Sequence, residues 1–479
     1  MPHGEMLIDG HFIGGPCDQS IGKAVQRSPY DGQIVGTVAE GFRPEADAAL
    51  DCAVRAFGTW RRSPRHERQT LLRRIAHLVR ERSDELADLL VHEIGKPVTW
   101  AEGEVSRMAL TFELAASELD RWGLEELPVD FDPRGKGYRC TVERFPIGVI
   151  LGIVPYNWPF NLAAHKIAPA LAAGNTIVLK PSTQAALSTL TLARLIHDAG
   201  CPPGVLNAVN CPAEVAQWMA QDQRVAMLSF TGSPAVGWKL KELLHAKRVS
   251  LELGGDASAI VCEDADLEWT LSRLVPGGYG YAGQICISIQ HVLAHESVYE
   301  EVRERLIAGT QRCPAGDPAL RETVCGPLIS PGACEKVLEW VEEARAAGAQ
   351  VLVGGTRQGN VVAPTLVEDV PPHVRLGCEE VFGPVLTLRS FKNLDEALER
   401  VNDSKYGIHC GVFTRSRQNA ERAFQELEVS GVIINDYPTL RFDNMPYGGV
   451  KRSGFGREGV RYAMDEMSEP KVRLTRTQD

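Results

Sequence analysis

The sequence predicts an α/β fold built on parallel sheets, and three observations support this prediction. From Ile147 to Arg312, short apolar segments alternate with segments whose apolar residues have helical spacing. The apolar segments are rich in β-branched residues, which is typical of strands buried on both faces. They include "IGVILGIVPY", "NTIVLKPS" and "VAMLSFTG". Gly174 and Gly200 follow two of the helical segments, where glycine commonly ends a helix. This alternation predicts a parallel sheet covered by helices on both faces.

The flanking regions complete the predicted organisation. The first 125 residues carry mainly helical patterns, and from "CGPLIS" (325–330) onward helices and apolar strands alternate again. The second alternation indicates a second α/β domain. The polar stretch "FDPRGKGYRCTVERFP" (131–146) is either a hairpin arm or a linker. The tail "EPKVRLTRTQD" (469–479) reads as a strand, and it is either a plain surface segment or a pairing partner for the arm or for another subunit.

The composition excludes several classes of function. The chain has 479 residues, of which 44% are hydrophobic and 24% are charged, and its net charge is −11. An acidic chain without a run of lysine and arginine is not expected to bind nucleic acid. No apolar stretch reaches the roughly 18 residues of a transmembrane helix, so we expect no membrane association. Without a secretory signal pattern, the expected location is the cytoplasm.

The twelve cysteines are scattered and show neither a Cys-x-x-Cys pair nor the spacing of a zinc site. We therefore expect reduced thiols and no metal. Most of them should pack as small buried hydrophobes. Cys286, in "YAGQICISIQ", is either one of these or a nucleophile, since the thiolate is the reactive form of cysteine.

Two segments, 278–283 and 454–459, match the dinucleotide-binding pattern G-x-G-x-x-G. That pattern binds phosphate only where a strand precedes it and a helix opens within it. The first match follows a helical segment and the second follows a loop, so neither is predicted to bind phosphate. In "LSFTGSPAVG" a strand ends, the chain turns, and a helix begins at Pro234, so the helix N-terminus would face an anion. The alternative interpretation of this segment is a structural turn.

Two polar residues at strand ends are candidates for catalysis. Glu252 ends the strand in "VSLELGGD", where a charge must be paired or face a cleft. A carboxylate there could act as a general base, or it could cap a loop. Asn157 follows the strand of "VILGIVPY", and its amide could donate to an oxyanion, although asparagine also favours turns.

Several segments, taken in chain order, resemble the motifs of the aldehyde dehydrogenase superfamily, and the resemblance covers nearly the whole chain. They are "IVPYNWPFNLAAHKIAPALAAGNTIVLKPS", "FTGSPAVG", "LELGG", "GQICIS", "EEVFGPV" and "MPYGGVKRSGFGREG". The resemblance implies an aldehyde dehydrogenase-like fold, with a Rossmann-type cofactor domain, an α/β catalytic domain and a small β oligomerisation arm. The implied ranges are 1–126 and 147–253 for the cofactor domain, 254–452 for the catalytic domain, and 127–146 and 466–479 for the arm. A homodimer or homotetramer is expected.

The resemblance also implies roles for individual residues. Cys286 would attack the aldehyde carbon to give a thiohemiacetal. Asn157 and the Cys286 backbone N–H would hold the oxyanion, and hydride would pass to the nicotinamide. Glu252 would then activate the water that hydrolyses the thioester. The implied cofactor-binding residues are Pro155, Lys180, Ser182, Thr183, Gly232, Ser233, Gly237, Glu380 and Phe382. Among these, Lys180 would bind the adenosine ribose, Glu380 the nicotinamide ribose, and Ser233 the pyrophosphate.

The cofactor and the substrate class follow from departures within these motifs. Thr183 stands where many NAD-preferring members carry glutamate, so we expect NADP to be accepted alongside NAD. The segment "RFDNMPYGGVKRSGFGREGVRYAMDEMSEPK" resembles the lactaldehyde dehydrogenase-like branch. This resemblance implies a small hydroxy- or anionic aldehyde of the lactaldehyde, glyceraldehyde-3-phosphate or semialdehyde type. Arg107 and Arg441 would bind its anion or form surface salt bridges. The implied lining of the aldehyde tunnel is Tyr156, Trp158, Ile285, Ile287 and Tyr447.

Four alternatives remain at this point. They are a phosphonoacetaldehyde dehydrogenase, a coenzyme A-acylating relative, a non-catalytic binding protein and a thiol hydrolase. The acylating branch generally lacks the base that Glu252 would supply. A thiol hydrolase would need a histidine against Cys286, and His291 is the nearest in sequence. Asp256, which stands where lysine or asparagine is commoner, has no functional interpretation.

Overall fold

The amino-terminal region forms short strands and then four helices. The computed structural model describes residues 2–477, so residues 1, 478 and 479 of the predicted domain and arm ranges lie outside the described residues. The strands are β1 (His3–Gly4), β2 (Met6–Ile8), β3 (His11–Ile13), β4 (Gly22–Arg27) and β5 (Ile34–Glu40). The helices are α1 (Arg43–Trp60), α2 (Arg65–Glu81), α3 (Ser83–Ile94) and α4 (Val98–Glu118). The helical prediction is confirmed for 43–118, but it missed the strands, which are too short to show a clear alternation.

The central region forms the alternating elements that the sequence predicted. Two strands of the arm come first, β6 (Leu124–Leu127) and β7 (Tyr138–Pro146). The strands that follow are β8 (Val149–Ile153), β9 (Thr176–Lys180), β10 (Leu206–Ala208), β11 (Val225–Thr231) and β12 (Arg248–Glu252). The helices between them are α5 (Pro159–Ala173), α6 (Ala186–Asp198), α7 (Ala213–Gln221) and α8 (Pro234–Leu244).

The carboxyl-terminal region repeats the alternation, as predicted. Its strands are β13 (Ser258–Val261), β14 (His291–His295), β15 (Gln350–Val353), β16 (Arg357–Gln358), β17 (Val361–Val362), β18 (Thr365–Glu368), β19 (Val385–Phe391), β20 (His409–Phe413), β21 (Gly431–Ile434), β22 (Gly454–Phe455) and β23 (Ser468–Arg476). Its helices are α9 (Leu267–Tyr279), α10 (Tyr299–Arg312), α11 (Pro331–Ala346), α12 (Arg375–Cys378), α13 (Leu394–Asn402), α14 (Arg417–Glu426) and α15 (Val460–Glu466).

Two large sheets organise these elements. The first has the strand order β22-β12-β11-β8-β9-β10-β2-β3, and the second has the order β15-β18-β19-β14-β13-β20-β21. Strands β8 to β12 of the first sheet pair in parallel, and antiparallel strands are added at its two edges. All strand pairs of the second sheet are parallel except β15 with β18. This architecture is the predicted α/β fold with two parallel sheets.

Helix α5 fixes the position of the segment that follows β8. Every residue of α5 is buried, as expected for a mostly apolar helix that is enclosed by other elements. Glu104 of α4 lies at its start and accepts hydrogen bonds from the backbone N–H groups of Phe160 and Asn161. A carboxylate at a helix N-terminus satisfies free N–H groups and interacts favourably with the helix dipole. The loop that carries Asn157 is therefore anchored to a buried element.

The polar stretch before β8 is an arm rather than a linker. Strands β6, β7 and β23 form a three-stranded sheet in which β7 is central. Strand β23 pairs antiparallel with β7 over its full length, from Ser468 opposite Pro146 to Arg476 opposite Tyr138. The prediction that the tail pairs with the first arm is confirmed. The part of the chain described here contains no helix long and apolar enough to cross a membrane.

Candidate active site

The candidate active site lies at the carboxyl ends of the parallel strands of the first sheet, where α/β folds bind their ligands. Strands β12, β11, β8 and β9 are neighbours, and the segments that follow them meet at this edge. A cleft of about 330 Å³ at this edge is also lined by residues of the second α/β region. Cys286, Glu252 and Asn157 all line it. The three residues predicted to be catalytic are therefore brought to one cavity.

The same cleft is also lined by most of the other residues that were identified from the sequence. They are Arg107, Pro155, Tyr156, Trp158, Gly232, Ser233, Ile285, Ile287, Glu380, Phe382, Arg441 and Tyr447. Lys180, Ser182, Thr183 and Gly237 do not line it. Lys180 ends β9, with Ser182 and Thr183 directly after it, so all three lie further along the same strand edge. Gly237 lies in the first turn of α8.

The loop that carries Cys286 has an unusual backbone. Tyr281, Ala282 and Gly283 adopt φ angles of 50°, 54° and 68°. A residue other than glycine in this left-handed region costs of order 1–3 kcal/mol, and such strain is concentrated at functional sites. A Cβ at Gly283 would lie 2.2 Å from the carbonyl oxygen of Gly383, so glycine is required there. The loop is therefore held in a strained shape just before the candidate nucleophile.

Gln284 connects this loop to the candidate oxyanion donor. Its side chain is fully buried, accepts hydrogen bonds from the Tyr156 hydroxyl and the Ile329 backbone N–H, and donates to the Pro327 carbonyl. The Asn157 amide donates to the Gln284 backbone carbonyl over 2.8 Å. An amide carries two hydrogens, so the second remains available to a ligand in the cleft. Asn157 is thus oriented by one hydrogen bond and can use the other on an oxyanion.

Cys286 is partly exposed at the cleft, and its sulfur lies 2.8 Å from the Tyr447 hydroxyl. Burial raises the pKa of the Cys286 thiol to about 12. The thiol is therefore protonated at neutral pH in the absence of ligands. Its neighbours Ile285 and Ile287 are buried and line the cleft, so the predicted apolar surroundings of the sulfur are present.

Glu252 ends β12 with its side chain facing the same cleft. The residue is only 3% exposed, yet neither carboxylate oxygen has a hydrogen-bond partner among residues 2–477. Burial raises its pKa well above that of an ordinary glutamate, and the negative charge of Glu458 raises it further. A carboxylate with a raised pKa binds a proton more readily than an ordinary one does, which suits a general base. Glu252 therefore has the environment expected of that role.

A buried ion pair behind Glu252 was missed in the sequence. Lys166 of α5 donates to Glu458 over 2.8 Å and to Ser229 over 3.0 Å. Although burial opposes ionisation of Glu458, the charge of Lys166 keeps the pKa of that carboxyl below its usual value. A lysine inside the apolar segment "NLAAHKIAPALAAG" was an available signal for Lys166. Nothing in the Gly-rich segment around Glu458 marks it in the same way.

Four charged or titratable side chains form a cluster at one wall of the cleft. Asp443 accepts hydrogen bonds from Arg107 over 2.6 and 3.1 Å and from His165 over 2.8 Å. Although burial opposes it, hydrogen bonds from His165 and Arg107 hold the pKa of Asp443 well below its usual value. The Arg441 guanidinium stacks on the Tyr447 ring, with its carbon 3.7 Å from the ring centroid. Arg107 is therefore already paired with a carboxylate.

Arg441 differs from Arg107 in having no partner of opposite charge. Across residues 2–477, no carboxylate lies within 4.0 Å of its guanidinium, and its Nε is buried without a hydrogen-bond partner. Arg441 is half-buried, and its Nη2 contacts the His165 Nε2 over 3.3 Å, which supplies no negative charge. Taking a cation out of water without a counter-charge is costly unless a ligand supplies that charge. Arg441 is thus the free cation at this wall of the cleft.

The residues implied to bind the cofactor fit a dinucleotide. Ser233 precedes α8 and forms no side-chain cap, so the first N–H groups of the helix are available to a phosphate. Glu380 accepts a hydrogen bond from the Gly255 backbone N–H, and burial raises its pKa to about 7. A Cβ at Gly254 would lie 2.0 Å from the Glu380 carboxylate, so only glycine lets this carboxylate lie against the backbone. Its remaining lone pairs can accept from ribose hydroxyls.

The two G-x-G-x-x-G matches lack the context of a phosphate-binding loop, as predicted. Gly278 lies inside the last turn of α9, so the first match ends a helix and does not begin one. Gly454 lies in β22 itself, and α15 begins only after Gly459. In "LSFTGSPAVG", by contrast, β11 leads into α8 as predicted.

His291 and Asp256 lie away from the cleft. The His291 ring contacts the Thr387 hydroxyl over 2.8 Å and lies 3.9 Å from the Asp256 carboxylate, which also accepts from Ser404. Both residues line a separate cavity of about 420 Å³. The hydrogen-bond partner of Cys286 is a tyrosine and not an imidazole, so the thiol hydrolase alternative has no support here.

One group of side chains of the metal-ligand type, Cys262, Glu263 and Asp264, follows β13. The two oxygens of Asp264 already accept hydrogen bonds from Thr414 and from the Arg415 backbone. The group does not line the cleft, and the expectation that catalysis uses no metal stays a prediction.

Further residues complete the cleft, and sequence reasoning did not identify them. They are Trp100, Asn161, Leu162, Thr231, Leu253, Gly254, Lys336 and Thr439. Lys336 lies on α11 and donates to the backbone carbonyls of Glu380 and Val381. It sits on an ordinary amphipathic helix, so its sequence context offered no signal.

Comparison with known proteins agrees with this geometry. Residues 18–472 match the aldehyde dehydrogenase family. The chain is 37% identical to 3-sulfolactaldehyde dehydrogenase of Priestia aryabhattai, over 97% of each chain. It is 36% identical to lactaldehyde dehydrogenase of Methanocaldococcus jannaschii, over 98% of this chain and 99% of that one. The structure of NADP-dependent glyceraldehyde-3-phosphate dehydrogenase from Bacillus halodurans complexed with NADP is 34% identical, covers 100% of both chains and superposes with a TM-score of 0.96.

Three findings agree with one another. They are the fold, the single cleft that holds the predicted cysteine, asparagine and glutamate, and the full-length similarity to known proteins. The chain belongs to the aldehyde dehydrogenase family and is an NAD(P)-dependent oxidoreductase that acts on an aldehyde.

Proposed function

We propose that the protein oxidises a three-carbon 2-hydroxyaldehyde that carries a sulfonate or phosphate on its third carbon. The aldehydes in the names of the three relatives share the 2-hydroxyaldehyde group, and two of them carry such an anion. The observation that supports the anion in this chain is Arg441, the free cation at the wall of the cleft. An anionic group on the substrate supplies the partner that this guanidinium lacks.

The residues of the cleft divide the reaction between them. Cys286 attacks the aldehyde carbon, and the bond from sulfur to carbon gives a thiohemiacetal. Asn157 and the Cys286 backbone N–H stabilise the negative oxygen as it forms. NAD or NADP, which Lys180, Ser233 and Glu380 would hold, would supply the acceptor for the hydride on the former aldehyde carbon. Glu252 then takes a proton from water, which attacks the thioester and releases the carboxylic acid and the thiol.

Hydrolysis is favoured over the coenzyme A-acylating alternative by Glu252. An acylating enzyme resolves the thioester with an external thiol and does not need a base for water. A buried carboxylate without a hydrogen-bond partner among the described residues is costly, and activation of water gives it a use. Formation of the free acid without coenzyme A is expected, and a strict requirement for coenzyme A would contradict the hydrolytic route.

Replacement of Arg441 tests the proposed substrate. Arg441→Met keeps an unbranched stem against Tyr447 and removes the charge. A charge-assisted hydrogen bond contributes about 1.5–3 kcal/mol, so kcat/KM for sulfolactaldehyde or glyceraldehyde-3-phosphate should fall by roughly 10- to 100-fold. Activity on uncharged lactaldehyde should change much less. Steady-state kinetics with the paired substrates measure this ratio.

Arg107→Ala is the matched comparison for this experiment. We propose Arg107 as a second anion-binding group, although its guanidinium is bonded to Asp443. Its loss should therefore have a smaller effect on the preference for anionic aldehydes than the loss of Arg441. If Arg441→Met lowered activity on lactaldehyde and on the anionic aldehydes equally, the proposed substrate class would be wrong. If Arg107→Ala left both activities equally unchanged, its anion-binding role would be wrong.

Thr183 tests the proposed use of NADP. The residue is exposed at the start of the turn after β9, and we propose that it lies beside the adenosine ribose. Thr183→Glu would place a carboxylate near a 2′-phosphate, so kcat/KM for NADP should fall by about tenfold or more while NAD is retained. Thr183→Gln, which adds similar bulk without charge, is the control. NADP turnover below about a hundredth of NAD turnover in the unmodified enzyme would contradict dual use.

We also propose that the arm mediates a homodimer or homotetramer in the cytoplasm. The ranges given above for the cofactor domain, the catalytic domain and the arm are part of the same proposal. β23 is an edge strand of the arm and is exposed over almost its whole length, with Val472 and Leu474 more than half exposed. An exposed apolar edge strand is a ready site for strand pairing with another chain. Sedimentation velocity that showed a monomer at micromolar concentration would contradict the oligomer.

A further inference from the structure

The hydroxyl of Tyr447 is the side-chain hydrogen-bond partner of the Cys286 sulfur, at 2.8 Å. We propose that Tyr447 is a further catalytic residue, whose hydroxyl donates a hydrogen bond to the Cys286 thiolate and thereby makes the nucleophile available. The inference rests on the proposed function only in taking Cys286 as the nucleophile. It adds a role in activating the thiol to a residue that was predicted only to line the tunnel.

The position of this hydroxyl is fixed by the backbone. Tyr447 is 3% exposed. Its backbone N–H donates to the Glu458 carbonyl over 2.9 Å, and its own carbonyl accepts from the Glu458 N–H over 2.7 Å. The ring also packs edge-on against His409, with the ring centroids 5.5 Å apart. The hydroxyl is therefore held against the sulfur by contacts on two sides.

The chemistry of the two groups determines the direction of the hydrogen bond. A thiolate has no hydrogen, so once Cys286 ionises only the phenol can donate. Burial raises the pKa of Tyr447 well above its usual value, so the phenol keeps its hydrogen while the thiol ionises. A hydrogen bond to the charged form of a group favours that form. The contact therefore stabilises the thiolate in a cleft where burial opposes it.

Some of the other charged groups around Cys286 and Tyr447 favour the thiolate, and others oppose it. Arg441, stacked on the Tyr447 ring, favours the thiolate, while the carboxyl groups of Glu252 and Glu380 oppose it. His409 stays neutral because burial lowers its pKa to about 4, although the hydrogen bond from its Nδ1 to the Pro438 carbonyl, over 2.8 Å, acts in the opposite direction. Tyr447 is thus placed between the cation and the sulfur, and its ring carries the guanidinium while its hydroxyl meets the nucleophile.

The ionisation of Cys286 tests this proposal directly. The thiolate displaces iodide from iodoacetamide, forming one S–C bond as the C–I bond breaks, so the alkylation rate follows the thiolate fraction. The rate is measured against pH from the mass of the peptide containing Cys286, in full-length enzyme without aldehyde or cofactor. Tyr447→Phe keeps the ring under Arg441 and removes only the hydroxyl. This variant should raise the midpoint of Cys286 ionisation by about one pH unit. At any pH below that midpoint, the alkylation rate should therefore fall by about tenfold.

Two further variants make the result specific. Tyr156→Phe removes another phenol hydroxyl from the same cleft, one that contacts Gln284 and not the sulfur, so the midpoint should not move. Tyr447→3-fluorotyrosine keeps the shape of the side chain and makes the phenol a stronger donor, so the midpoint should move down. If Tyr447→Phe failed to fold, the direction of the fluorotyrosine shift would decide the question alone.

An unchanged midpoint in the Tyr447 variants would overturn the role of the hydroxyl. An equally large rise of the Cys286 midpoint in Tyr156→Phe would also overturn it, because the general polarity of the cleft would then explain the effect. Neither result would affect the proposed substrate, since the assay contains no aldehyde. Failure of the proposed function would be recognised separately, by a Cys286→Ser enzyme that still oxidises aldehydes.

Discussion

Cys286→Ser is expected to lower kcat/KM for every aldehyde substrate by at least ~10³-fold, because the enzyme then lacks its covalent nucleophile. A serine hydroxyl in the same place ionises far less readily than a thiol. The group within hydrogen-bond distance of this position is the Tyr447 phenol, which retains its own proton and cannot act as a base. Steady-state formation of NADPH or NADH with saturating aldehyde measures the loss.

The fold and the cofactor site of this variant should be intact, since sulfur and oxygen differ little in size. Tight binding of NADP, followed by quenching of tryptophan fluorescence, is the check on that expectation. Cys17→Ser is the matched control, because Cys17 is exposed and does not line the cleft. It should retain full activity. A Cys286→Ser enzyme with a tenth or more of normal activity would show that another group is the nucleophile.

The sequence predicted the parts of the fold and site that depend on local pattern. The parallel sheet of residues 149–252 was predictable because each strand is a continuous apolar segment bounded by a helix signal. Glu252 and Asn157 were identifiable because each is a polar residue near the carboxyl end of such a strand, Glu252 as the last residue of β12 and Asn157 in the loop after β8. The strands of residues 3–40 were missed because each is short and gains its stability from pairing, which a local pattern does not show.

The features of the site that the sequence did not predict depend on contacts between residues distant in sequence. Arg107 and Asp443 are 336 positions apart, and Cys286 and Tyr447 are 161 apart. The sequence identified both Arg107 and Arg441 as candidate anion-binding groups, but it could not indicate which of them is already paired with a carboxylate. The structure separates them, because Asp443 neutralises Arg107 and leaves Arg441 free. The pairing of Lys166 with Glu458 was missed for the same reason, because the two residues are distant in sequence.

Glu252→Gln is expected to separate the two halves of the reaction. The glutamine has the shape of the glutamate but cannot accept a proton from water, so the thioester on Cys286 should form and then persist. Rapid mixing with aldehyde and cofactor should give a burst of one reduced cofactor per active site. Steady turnover should then be lower by about 10²- to 10⁴-fold, the usual contribution of a general base.

The pH dependence of the unmodified enzyme provides a second measure of the same group. A general base works in its deprotonated form, and burial raises the pKa of Glu252 well above its usual value. The rate of thioester hydrolysis should therefore rise with pH through that raised pKa and then level off. In Glu252→Gln this rise should be absent. Glu263→Gln, at an exposed position outside the cleft, should keep both the rate and the pH profile of the unmodified enzyme.

Hydroxylamine distinguishes a stalled thioester from a slow first step. It attacks thioesters without a general base, so adding it to Glu252→Gln should restore turnover and release a hydroxamic acid. A burst smaller than one per site without rescue would place the defect before the thioester, and Glu252 would then act on the attack by Cys286. Undiminished turnover without hydroxylamine would remove Glu252 from the mechanism altogether. A buried carboxylate without a hydrogen-bond partner in the described structure is costly to maintain. A burst of reduced cofactor, loss of the rise in rate with pH, and restored turnover with hydroxylamine would together identify water activation as the function of Glu252.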